Sequence, residues 1–136
     1  MSKDGGDLPV ADDELLARYT LFKKWVRPDL TVSQDAFVPP SDFQLSVTRH
    51  LDLTEEDIWQ LGNDVSKLRK RPLFGRADIV TSDVRKHTLE VKAAPIIPSN
   101  KNHAHVVGWP SEKSARKIIA QELAAVSRFV PNPDFP

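Results

Sequence analysis

Eleven prolines, at 28, 39, 40, 72, 95, 98 and 110 among other positions, cut this chain of 136 residues into short runs. Proline lacks a backbone donor and pushes the residue before it out of the α region, so helices and inner strands must fit between these breaks. The order of elements read between them is helix, two strands, helix, two or three strands, helix, with crossovers too short for repeated strand–helix–strand units. The expected fold is therefore α+β, a mostly antiparallel sheet of about four to five strands packed against about three helices.

Within the runs, apolar spacing assigns the elements. Asp12 or Asp13 can cap a helix in which Leu15, Tyr19, Phe22 and Val26 form one apolar stripe, stopped by Pro28. Residues 29–38 alternate weakly and read as an edge strand with Leu30 and Val32 inward. Phe43, Leu45 and Val47 then alternate with Gln44, Ser46 and Thr48, the clearest strand in the chain. Thr54 followed by Glu55, Glu56 and Asp57 is a helix start with a hydroxyl cap and an acidic first turn. Ile58, Leu61, Val65 and Leu68 continue it as a surface helix up to Pro72, and Gly62 inside it implies close packing.

Strands are expected near 76–81 and 87–93, joined through 82–85, followed by a loop over 94–102 and a short strand over 103–109. Pro110 and Ser111 open a last helix with Ala115, Ile118, Ile119, Leu123, Val126 and Val130 on its apolar side. Residues 1–11 read as a flexible lead-in, 12–130 as a single α+β domain and 131–136 as a loose proline-rich tail.

Lysine and arginine together number 19, as do aspartate and glutamate, so no overall field attracts nucleic acid. A local phosphate site at Lys67, Arg69, Lys70 and Arg71 stays open, although the simpler reading is a solvated helix end whose cations complement the helix dipole. There is no cysteine. That removes disulfides, thiolate metal sites and a cysteine nucleophile, and it suits a reducing, cytoplasmic setting. No stretch reaches the apolar run of about 20 residues that spans a bilayer. The first residues lack the apolar core of a secretory signal. Trp25, Trp59 and Trp109 read as core aromatics, with Trp59 beside Gly62 as an alternative partner surface.

The chemistry-bearing residues are few. Asn102-His103-Ala104-His105, if extended, puts both imidazoles on one sheet face, which suits a divalent transition metal. His103 and His105 are thus candidate metal ligands, with His50, His87 or Asp52 as a third; the commoner fate of such a pair is structural. Arg49 continues the phase of Leu45 and Val47, so the packed face ends in a guanidinium. It either meets Asp52, Asp78 or Glu90 in an ion pair or clamps an anion beside His50. Joined, Arg49, His50, His103 and His105 are the candidate catalytic set of a metal-free site for cleaving phosphodiesters or handling phosphoryl groups. One histidine would act as base, another as acid, and Arg49 would hold developing charge. Ser46 has no Gly-x-Ser-x-Gly elbow, and neither a glycine-rich phosphate loop nor a dinucleotide fingerprint is present. No cofactor is expected beyond that divalent metal.

The segments Leu45-Ser46-Val47-Thr48-Arg49-His50, Gly75-Arg76-Ala77-Asp78 and His103-Ala104-His105-Val106-Val107-Gly108-Trp109-Pro110 resemble those of a family of small bacterial proteins to which no activity is attached. The resemblance implies a free-standing bacterial protein and carries no catalytic residue over. The leading expectation is a non-enzymatic binding or accessory module, acting through a protein partner or by self-association at an exposed strand edge. A small hydrolase or nucleic-acid-processing enzyme built on the Arg/His set is the runner-up. A metal-binding protein using the His-x-His segment is the third reading.

Overall fold

A single antiparallel sheet organises the chain in the computed structural model, which describes residues 8–135. Its strands are β1 (Leu15–Thr20), β2 (Leu45–Arg49), β3 (Gly75–Val80), β4 (Glu90–Ala93), β5 (His103–Val107) and β6 (Arg128–Pro131), in the order β4-β5-β2-β1-β3-β6. The helices are α1 (Glu55–Arg69), α2 (Thr81–Arg85) and α3 (Lys113–Val126), with short 3-10 turns at Lys23–Trp25 and Gln34–Phe37. The α+β class and the antiparallel pairing are as expected, but the sheet has six strands. No helix among the described residues is long and apolar enough to cross a membrane.

The expected first helix is instead β1, the middle of the sheet, paired to β2 on one side and to β3 on the other. Its neighbours in sequence separate into two cores: Leu16 packs with Leu45, Ile79 and α3's Leu123, whereas Ala17 and Tyr19 pack with α1's Ile58. A strand covered on both faces carries apolar groups at consecutive positions, so the period-two signal vanishes and a chance helical spacing remains. Asp12 and Asp13 sit in a turn rather than capping a helix, and Asp12 accepts from Arg85.

Three further segments differ from expectation. Residues 29–38 make a turn and a 3-10 helix in place of an edge strand. Asp29 Oδ1 accepts from both the backbone and the hydroxyl of Thr31, which turns the chain and leaves Leu30 in the left-handed region at φ 65°. Val32 is buried as expected, but Leu30 faces solvent. Residues 82–85, read as a connection between strands, lie within α2.

The last helix stops at Val126, and Val130 belongs to β6. Gly75 makes that strand fit, because a Cβ there would lie 2.4 Å from the Val130 carbonyl. The segment read as a loose tail begins inside β6, and Asn132 Nδ2 donates to the Leu73 carbonyl. The expected lead-in lies outside the described residues up to residue 7; of its remainder, Val10 is buried in the core.

α1 forms as its sequence dictates. Thr54 and Asp57 make a reciprocal capping box, three acidic side chains fill the first turn, and Lys70 closes the helix in the left-handed conformation. Gly62 sits against Tyr19, whose hydroxyl donates to the Ile58 carbonyl.

Candidate functional site

Strand alternation splits the candidate residues between the two faces of the sheet. Arg49 lies on the α3 face, in the phase of Leu45 and Val47, and is fully buried. Its Nε and Nη2 each donate to Glu14 at 2.7 Å, and Nη1 donates to the Leu8 carbonyl at 2.7 Å. Of the two expected fates the ion pair is realised, but with Glu14 rather than Asp52, Asp78 or Glu90. Burial raises the Glu14 pKa, and Arg49, the Ala11 backbone N–H and Arg85 outweigh it, leaving this carboxyl below its usual value.

His50 lies on the opposite face. Its Nε2 is 3.1 Å from Asp78 Oδ1, and Asp78 is held by Arg76 Nε at 3.0 Å. Arg76 in turn grips Glu55 of α1 through Nη1 and Nη2 at 3.0 and 2.8 Å, with its guanidinium over Trp59. This chain of polar contacts ties α1 to β3 and to the end of β2, and Trp59 belongs to that tie.

His103 and His105 share the face of His50, as period two predicts. Thr48 is the register partner of His103, and Ser46 and Lys92 flank His105. The two rings meet edge to face with centroids 4.7 Å apart. His103 Nδ1 lies 3.0 Å from the Ala94 carbonyl, a bond that requires the proton on Nδ1. Burial, aided by His105, pulls the His103 pKa below its usual value despite that carbonyl, so the ring is neutral at neutral pH. His87 is elsewhere, 3.1 Å from Glu122. Among the described residues no three His, Asp or Glu side chains cluster as a metal site requires.

Beside this face a cleft of about 580 Å³ opens between the start of α1 and the loop after β4, lined by Asp52, Asp57, Gln60, Leu61, Pro98 and Asn100 among others. None of Arg49, His50, His103 or His105 lines it. Its polar groups are largely spent on holding backbone: Asp57 caps α1, Asn100 Nδ2 donates to Thr48, and Asn102 Nδ2 donates to the Arg49 and Leu51 carbonyls. The convergence that the Arg/His set needs is therefore not found. Both sheet edges are also blunted. Glu90 Oε1 accepts the Val91 N–H of β4, and β6 ends on a proline that has no N–H to offer.

Sequence reading missed the far end of the molecule. A second groove, of about 510 Å³, is lined by Lys23, Arg27, Leu30, Phe74, Phe129 and Phe135 among others. Next to it, Arg71 stacks on Phe22 at 3.8 Å and Phe22 meets Trp25 at 4.7 Å. These contacts bring the end of α1 against the turn after β1. Lys23, Lys24 and Arg27 thus join Lys67, Arg69, Lys70 and Arg71 in one exposed basic end. Ion pairs among the described residues involve none of the seven. The available signal was the absence of any Asp or Glu over 15–28 and again over 65–77. No family model, curated protein or solved structure matches this chain.

Proposed function

We propose that this chain is a non-enzymatic binding module that works in the cytoplasm through a protein partner or a second copy of itself. The observation that carries the reading is the groove beside Lys23 and Arg27, where Leu30 and Phe135 stay open to solvent although the chain has a full core to join. Supporting it, the side chains most suited to chemistry are committed to internal bonds: Arg49 to Glu14, His50 to Asp78, His103 to the Ala94 carbonyl. The absence of cysteine fits a reducing compartment.

The test is crosslinking and purification of the tagged protein from its native cells, with sedimentation equilibrium of the isolated chain. A stoichiometric partner or a dimer, retained when His103 and His105 are both changed to Ala, is the expected result. A strictly monomeric protein with no stoichiometric partner would sink the reading.

A second reading rests on the edge-to-face histidine pair, which shares its sheet face with Ser46 and Lys92. A metal or hydrolytic site there would have to work without Arg49. A thermal-shift screen with Zn, Ni, Mn and Mg ions, nucleotides and short RNA tests it. Saturating ligand at about 100 times its dissociation constant adds about 2.7 kcal/mol to the folded state. The module reading expects no shift that His103→Ala/His105→Ala abolishes.

A further inference from the structure

We propose that the basic end docks a short acidic segment of a partner protein, its large apolar side chains entering the groove and its carboxylates meeting the surrounding cations. This rests on the binding-module reading and adds the chemistry of the partner.

Two independent features meet there. The first is charge. Seven exposed lysines and arginines gather from two segments about 40 residues apart, and none has a carboxylate within ion-pair reach among the described residues. Of the acids beside the groove, Asp29 is occupied by Thr31, and Asp134, next to Phe135, is in ion-pair reach of none of the seven. Lys23 and Arg27 stand on the rim of the groove itself. The second is a presented apolar surface. Leu30 is 58% exposed and is held there by a left-handed backbone that leucine disfavours, in a turn locked by Asp29 and by the Arg27–Thr31 backbone bond. Phe74, Phe129 and Phe135 complete the apolar floor.

Charge complementarity selects the occupant. An apolar groove rimmed by cations suits a peptide that alternates Asp or Glu with large apolar residues. Nucleic acid fits less well, because bases stack on aromatic faces, whereas the most exposed large apolar side chain of the groove is the aliphatic Leu30 and Phe135 is tilted against Phe74. Phe22 and Trp25 are likewise tilted against each other, with Arg71 and Arg18 over their rings. A bilayer or a long polyanion would also meet the rest of the surface. The chain is neutral overall, so its seven clustered cations imply a matching excess of acids elsewhere. A short segment meets only the basic end.

The experiment selects displayed random peptides on the immobilised protein, with counter-selection on the Arg27→Glu/Arg71→Glu variant. Enriched sequences should combine Asp or Glu with Leu, Ile, Phe or Trp. A synthetic enriched peptide, followed by fluorescence anisotropy, should lose at least about tenfold in affinity on Leu30→Asp and on Arg27→Glu. It should also weaken as NaCl rises from about 0.05 to about 0.5 M. Circular dichroism melts check that each variant folds; Lys23→Glu/Lys24→Glu serves if Leu30→Asp does not. Enrichment of basic or purely apolar peptides, or no enrichment, overturns the proposal. So does tight binding of single-stranded DNA or phosphatidylserine vesicles where no acidic peptide binds. If the cellular partner is recovered equally by wild type and by Leu30→Asp/Arg27→Glu protein, this docking site is wrong while the module reading stands. If no partner is recovered and the isolated chain is strictly monomeric, the module reading fails with it.

Discussion

Arg49 is a guanidinium with no exposed surface, satisfied by Glu14 and by backbone carbonyls at the start of the described chain. Such a pair adds little over an apolar substitute, but losing one member strands the other charge. Glu14→Ala should therefore cost about 3–5 kcal/mol in urea unfolding, more than the paired replacement Glu14→Leu/Arg49→Met. Below its usual value of 4.5 the Glu14 carboxyl stays ionised in the fold. Its contribution is present above pH 4.5 and is lost as pH falls through the lowered folded-state value. His103 works over a higher range. Its folded-state pKa lies below the usual 6.5, so the unfolded chain takes up a proton first, and stability falls as pH drops below 6.5. Thermal melts of wild type and His103→Gln across pH 7.5 to about 5 should show this loss in the wild type and a flatter profile in the variant.

Elements differ in how plainly they announce themselves, and the cause is cover. α1 was legible because its cap, acidic first turn and basic last turn are local and solvent-facing. β2 was legible because its two faces differ in polarity. β1 was not, because Leu16 and Ala17 are buried in different cores. β6 was hidden because its place depends on Gly75, more than fifty residues away in sequence. The same division holds for the candidate site. Period two correctly put His103 and His105 on one face, whereas no local pattern could pair Arg49 with Glu14 or Arg71 with Phe22.

Gly62 carries an element-level prediction with a competition in it. Alanine would gain about 1 kcal/mol of helix propensity. Its Cβ, however, would lie 2.7 Å from Tyr19 Cε1, and Tyr19 is pinned by its bond to Ile58. Overpacking of this kind costs about 1–3 kcal/mol and should win. Gly62→Ala is expected to lower the urea midpoint, and the double variant with Tyr19→Phe should recover part of the loss by freeing the ring.

For the molecule as a whole, neutrality conceals segregation. The chain has zero formal net charge, yet seven exposed cations crowd one end. It should bind a sulfonate resin at pH 7 and low salt, as a neutral molecule with mixed charges would not. Arg27→Glu/Arg71→Glu should elute at clearly lower salt or flow through; equal retention of both proteins would contradict the segregation. The sheet order also makes the fold depend on distant closures. β1 waits for β2 and β3, and β3 waits for β6, so refolding belongs with slower mixed α/β domains rather than helical bundles.

The groove at the basic end has one wall from residues 23–30 and the other from residues 129–135. One wall follows β1 and the other begins in β6, and the two are brought together by β3, which pairs with both strands. Any partner that reads this groove is therefore also reading whether β3 holds both of its neighbours in register. A chain in which β6 had come away from β3 would keep its basic cluster yet lose Phe129 and Phe135 from the groove. Docking there would distinguish closed sheets from open ones without any dedicated checkpoint.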